Sequence, residues 1–178
     1  MGLARENFFI IIAAIIAVVL QIMLSPYVAI NGATPNIIAA YVIVIAVVRK
    51  MSNRVVILAF ILGLCYNLFQ GGPVGGMAFA LTVVAFLVGR AMMALDNDTS
   101  FMPLALTAVG LLFVELIYGI TLIVSGTMTD IGSVFALRVF PCTVYDIIAG
   151  LVWYLFMSRI AAEPKAEIPP IDSPTLLR

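Results

Sequence analysis

Residues 102–124 read MPLALTAVGLLFVELIYGITLIV, and this stretch decides the fold. It carries a single charged side chain, Glu115. As a helix rising about 1.5 Å per residue it is some 35 Å long, enough to cross a hydrocarbon core of about 30 Å. Working outward, five further apolar runs surround it, and the predicted helices cover residues 8–24, 36–48, 55–69, 74–95, 102–124 and 139–157. The second run is short. Pro35 opens it as a favourable first-turn residue, and it needs either part of Val28–Thr34 or a locally thinned bilayer to span. None of the runs alternates polar with apolar residues, which excludes a membrane β-barrel. The expected fold is an all-α integral membrane protein, a compact bundle of six transmembrane helices over residues 1–160. Residues 161–178, with Pro164, Pro169, Pro170 and Pro174, read as a disordered cytoplasmic tail.

Composition agrees. Of 178 residues, 64% are hydrophobic and 10% charged, against roughly half and a quarter in soluble domains. Net charge is zero, so no basic face points to nucleic acid. Eight of the nine Lys and Arg fall on one side of the expected topology: Arg5, Arg49, Lys50, Arg54, Arg90, Arg159, Lys165 and Arg178. Only Arg138 lies on the other side. The positive-inside rule then places both termini in the cytoplasm, with Ser25–Pro35, Gln70–Pro73 and Ser125–Leu137 as outer loops. The first run, Phe8–Leu24, is followed by no small-residue cleavage site and reads as a retained helix.

Polar side chains within apolar helices are costly unless paired, so they are the candidates for a function. Five stand out: Gln21, Asn67, Glu115, Tyr118 and Asp146. Glu115 and Asp146 fall roughly 10–14 Å beneath the outer surface by helical rise, with no Lys or Arg expected at that depth. They could form a shared site for a substrate, a proton or a partner's side chain. The favoured reading is hydrogen bonding that fixes helix packing. Gly71, Gly72, Pro73 and Gly75 form a tight turn between helices 3 and 4. That turn lacks the Lys-Ser/Thr of a phosphate loop. Ala13 and Ala17 give helix 1 a small-residue face suited to close contact. The sequence contains no His, and neither a nucleophile–base pair nor a metal-ligand cluster is apparent. No catalytic residue, cofactor or metal is expected. Cys65 and Cys142 read as small buried hydrophobes.

The central segment carries a resemblance. Ala33-Thr34-Pro35-Asn36 opens helix 2 and Arg49-Lys50 follows it. Gly63 to Gly75, GLCYNLFQGGPVG, closes helix 3, and Leu87-Val88-Gly89-Arg90 ends the next run. With Leu20-Gln21, Pro141 and Tyr145, this pattern over most of residues 20–158 resembles the rod shape-determining MreD family of the bacterial inner membrane. The family often has Asp at the position of Asn67 and Asn at that of Asp146, so the resemblance argues for polar rather than ionised groups there. It implies a non-enzymatic component of the cell-elongation machinery that binds MreC. It further implies work with MreB, RodA and a class B penicillin-binding protein in directing peptidoglycan synthesis and maintaining rod shape.

An alternative is the substrate-binding subunit of an energy-coupling-factor vitamin transporter. Such subunits are similar in size, helix number and the Ala-rich face of helix 1. That reading expects a ligand pocket lined by Asn67, Glu115, Tyr118 and Asp146.

Overall fold

A computed structural model of the chain describes residues 3–29, 33–49, 52–95 and 101–161. The tail beyond Ala161, and with it the expectation of disorder there, lies outside the described residues, as does Lys50. Among the described residues the secondary structure is helical, with α1 Leu3–Leu24, α2 Ile37–Val48, α3 Asn53–Gln70, α4 Gly76–Ala94, α5 Phe101–Val124 and α6 Phe140–Ala161. Four helical stretches are long and apolar enough to cross a membrane: Asn53–Gln70, Gly76–Ala94, Phe101–Val124 and Ile131–Arg159. Phe8–Leu24 and α2 are apolar but shorter.

α2 organises the bundle. Its sequence, IIAAYVIVIAVV, is rich in β-branched residues that favour strands in water. Away from water, however, a backbone must satisfy its own polar groups, and a helix does so within one segment. α2 packs against each of the five other helices. Every residue from Ile38 to Val47 is buried, none more than 2% exposed. At 12 residues the helix is only about 18 Å long. The segment before it does not lengthen it: Ala33–Asn36 is non-helical, with Ala33, Pro35 and Asn36 buried, and Val28 lies in an exposed bend. The N-terminal end of α2 is therefore sunk inside the bundle, where water cannot reach its free N–H groups.

α1 lays a strip of Ala13, Ala14, Ala17 and Gln21 into the core and leaves Ile11, Ile15, Val19 and Met23 exposed. Tyr41 of α2 donates its hydroxyl to the Ile10 carbonyl of α1 at 2.7 Å and packs edge-on to Trp153 of α6. α3 and α4 form a tight antiparallel pair. A Cβ on Gly63 would stand 2.4 Å from the Cα of Ala78, so the two backbones touch there. Without a hydrophobic force between helices in lipid, such close approach supplies the dispersion contact that holds them together.

The sixth helix differs from the sequence expectation. Helix was expected from 139, after a loop through Leu137. Instead, helical structure begins at Ile131–Ser133 and passes through a π-helical turn, Val134–Val139, directly into α6. Asp130 caps this start, its Oδ2 accepting the Ser133 N–H at 2.7 Å. The wider π turn changes the angular position of the residues before α6 relative to a regular helix, and Arg138 on it turns into the bundle. The remaining boundaries shift less. α1 starts before Phe8, and α4 starts at Gly76 rather than Val74, because Gly71, Gly72 and Gly75 hold positive φ and the turn uses those residues.

Candidate functional site

The polar candidates gather at one end of the bundle, where α1, α3 and α5 finish and α2, α4 and α6 begin. At the N-terminus of α2 the geometry is that of a helix cap assembled from three elements. Asn36 caps the helix itself, its Oδ1 accepting from the Ala39 N–H at 3.0 Å. Gln21 of α1 donates from Nε2 to the Pro35 carbonyl at 3.0 Å. Its Oε1 accepts from the N–H of Ile37 at 2.7 Å and of Ile38 at 3.4 Å. Asp146 of α6 accepts the Asn36 backbone N–H on Oδ1 at 2.6 Å. The orphan donors of a buried helix start are thus met by side chains.

Asn67 does the same for α4. Gly75 precedes that helix and has no side chain to offer, and Asn67 from α3 reaches across, its Oδ1 accepting from the Met77 N–H at 3.0 Å. Asn36 then ties the two caps to α5. Its Nδ2 donates to Glu115 Oε1 at 3.3 Å and contacts the Met77 sulfur at 3.6 Å.

Arg138 closes the cluster. No cation was expected at the depth of Glu115, and the structure corrects this. The Arg138 Nε lies 3.9 Å from Glu115 Oε2, with the Arg138 side chain 19% exposed and that of Glu115 fully buried. Its Nη2 donates to the Tyr66 hydroxyl at 3.1 Å, and its guanidinium sits 4.8 Å over the Tyr118 ring, a cation–π arrangement. Tyr66 and Tyr118 meet edge to face. Of the turn Gly71, Gly72, Pro73 and Gly75, Gly72 lies against Tyr118 of this group. Gly72 has φ of 102°, and a Cβ there would come within 2.6 Å of the Tyr118 hydroxyl, so both conformation and space require glycine.

All five polar candidates are brought together: Gln21, Asn67, Glu115, Tyr118 and Asp146 are buried in one connected cluster. Ala13 and Ala17 are buried below it along α1. Asn36, Tyr66, Met77 and Arg138 were not among the candidates. For Asn36 the signal was there, since an Asn directly before an apolar helical run is a cap signature. For Arg138 there was none, because its direction depends on the π turn. Among the described residues no group of His, Cys, Asp and Glu could hold a metal ion. Four buried polar atoms of the cluster lack a hydrogen-bond partner among the described residues: Asn67 Nδ2, Glu115 Oε2, Arg138 Nε and Asp146 Oδ2.

The arrangement is one of helix ends fastened by side chains from neighbouring helices. Comparison with known proteins adds the family. No curated protein and no solved structure matches the chain. A family model described as rod shape-determining protein MreD matches residues 5–161, which takes in every described helix but the first two residues of α1. This multi-pass membrane protein belongs to the MreD family of rod shape-determining proteins.

Proposed function

We propose that the protein is a non-enzymatic component of the bacterial cell-elongation machinery. In this reading it binds MreC directly, and acts in one complex with MreB, RodA and a class B penicillin-binding protein to direct peptidoglycan synthesis and maintain rod shape. The family match over residues 5–161 carries this reading. It sits in the inner membrane as a single six-helix domain with both ends in the cytoplasm, and the polar cluster lies in the outer half of the bilayer. Gln21, Asn67, Glu115, Tyr118 and Asp146 act there as structural fasteners, together with the Gly71–Gly75 turn and the Ala13 and Ala17 face.

The use of the polar groups supports a structural role. Gln21, Asn36, Asn67 and Asp146 spend hydrogen bonds on backbone N–H groups of α2 and α4. A vitamin-binding pocket would aim them at open space instead. Two experiments test the proposal. Depletion in cells is expected to turn rods into spheres, and tagged protein purified from membranes is expected to recover MreC. Normal rods after depletion, or a purified protein that retains a small vitamin and recovers no MreC, would overturn it.

A further inference from the structure

The polar cluster holds an odd number of charged groups. Glu115 and Asp146 are both fully buried, and the cation facing them is Arg138. Other titratable groups surround the pair without balancing it: Tyr118 from α5, Tyr66 from α3 and Cys142 from α6, each neutral or an acid itself. Tyr41 of α2 is committed to the Ile10 carbonyl, while among the described residues α1 contributes the uncharged Gln21 and α4 the Met77 sulfur. Two carboxylates against one guanidinium leave one uncompensated negative charge out of reach of water, a state proteins avoid by taking up a counter-charge.

The hydrogen-bond pattern shows where that charge enters. Each carboxyl has one oxygen on Asn36: Asp146 Oδ1 takes the backbone N–H and Glu115 Oε1 takes the side-chain amide. Each also has one oxygen without a donor, Asp146 Oδ2 and Glu115 Oε2. The two carboxyls converge on the same residue, Asn36, yet two carboxylates can only accept. A single hydrogen added to either makes one of them a donor.

We propose that the cluster binds one proton, held between Asp146 and Glu115, and that this proton clips α6 to α5 across the buried start of α2. Arg138 lies beside Glu115, so Glu115 keeps the negative charge. Asp146 carries the proton on Oδ2 while its Oδ1 continues to accept from Asn36. In this state the cluster is neutral overall.

Infrared difference spectroscopy of the full chain in lipid nanodiscs at neutral pH, in light and heavy water, tests the proposal. Exposed carboxyls are ionised there. The wild type is expected to show one protonated-carboxyl carbonyl band that shifts on deuteration. Asp146→Asn, which keeps the shape and the acceptor for Asn36, is expected to lose that band, because Glu115 alone is balanced by Arg138. Arg138→Gln removes the cation and is expected to raise the band toward two protonated groups. Thermal unfolding of each variant in the same nanodiscs establishes that it is folded when measured. The absence of a protonated-carboxyl band in the wild type would overturn the proposal. So would a band that persists unchanged in folded Asp146→Asn, or stability that tracks sodium or potassium concentration at fixed pH in place of such a band.

Discussion

Asn67 illustrates how one side chain in this protein serves a neighbouring helix rather than its own. It belongs to the last turns of α3, yet its carbonyl holds the Met77 N–H of α4. Asn67→Ala leaves that donor buried and unpaired. The expected cost is about 1–2 kcal/mol, the range for a lost helix cap, and is read as a lower unfolding midpoint in detergent or nanodiscs. Asp130 does a similar task at the surface. The Ser133 backbone N–H bonded to its carboxylate holds its pKa below the ordinary Asp value. A carboxyl depressed in the folded state contributes stability above its unfolded pKa and loses it as pH falls through the folded one. Amide exchange protection over residues 131–139 is therefore expected to fall on acidification below the usual carboxylate range. Asp130→Asn, which can still accept the bond, is expected to flatten that dependence.

At the scale of elements, the α3–α4 pair and the π turn matter most. Gly63 and Ala78 bring two backbones into contact, and Gly63→Val would force the helices apart. Overpacking of this kind costs about 1–3 kcal/mol and should lower the unfolding midpoint, with a second-site Met77→Ala giving no rescue because the clash is with backbone. α2 is the opposite kind of element: short, entirely enclosed and capped by Gln21, Asn36 and Asp146. Its length was legible as an apolar run after Pro35. That its N-terminus ends inside the bundle was not, because a sequence gives the extent of an apolar run but not what covers its ends. The helical start at Ile131 was hidden for a related reason. Gly132 and Ser133 are poor helix formers, and only the Asp130 cap and the packing of Val134 and Val139 against α5 make the turn form there.

For the whole molecule, the exposed apolar side chains of α1, α5 and α6 form a surface that only lipid or an apolar partner can cover, while the polar groups collect inside one end. In the orientation proposed from the distribution of Lys and Arg, that end faces outward. Alkaline phosphatase fused after Val124 is expected to be active in the outer compartment, whereas a fusion after Leu95 is expected to be inactive. The reverse pattern would invert the orientation and place the cluster in the inner half.

Composition and apolar run length determine the environment and the number of helical runs by themselves. Burying a backbone in lipid leaves the helix as the available form for such runs, and that constraint is local and needs no knowledge of neighbours. Polar residues inside those runs could also be picked out individually, since each is costly without a partner. The partners are a different matter. Gln21 lies against Ile37, Asn67 against Met77, Asp146 against Asn36 and Arg138 against Glu115 only once six helices are packed at particular rotations about their axes. Those rotations are set by contacts such as Gly63 on Ala78 and by the phase change of the π turn. A hydrogen bond is short-ranged and directional, so tertiary packing alone decided which buried polar groups meet.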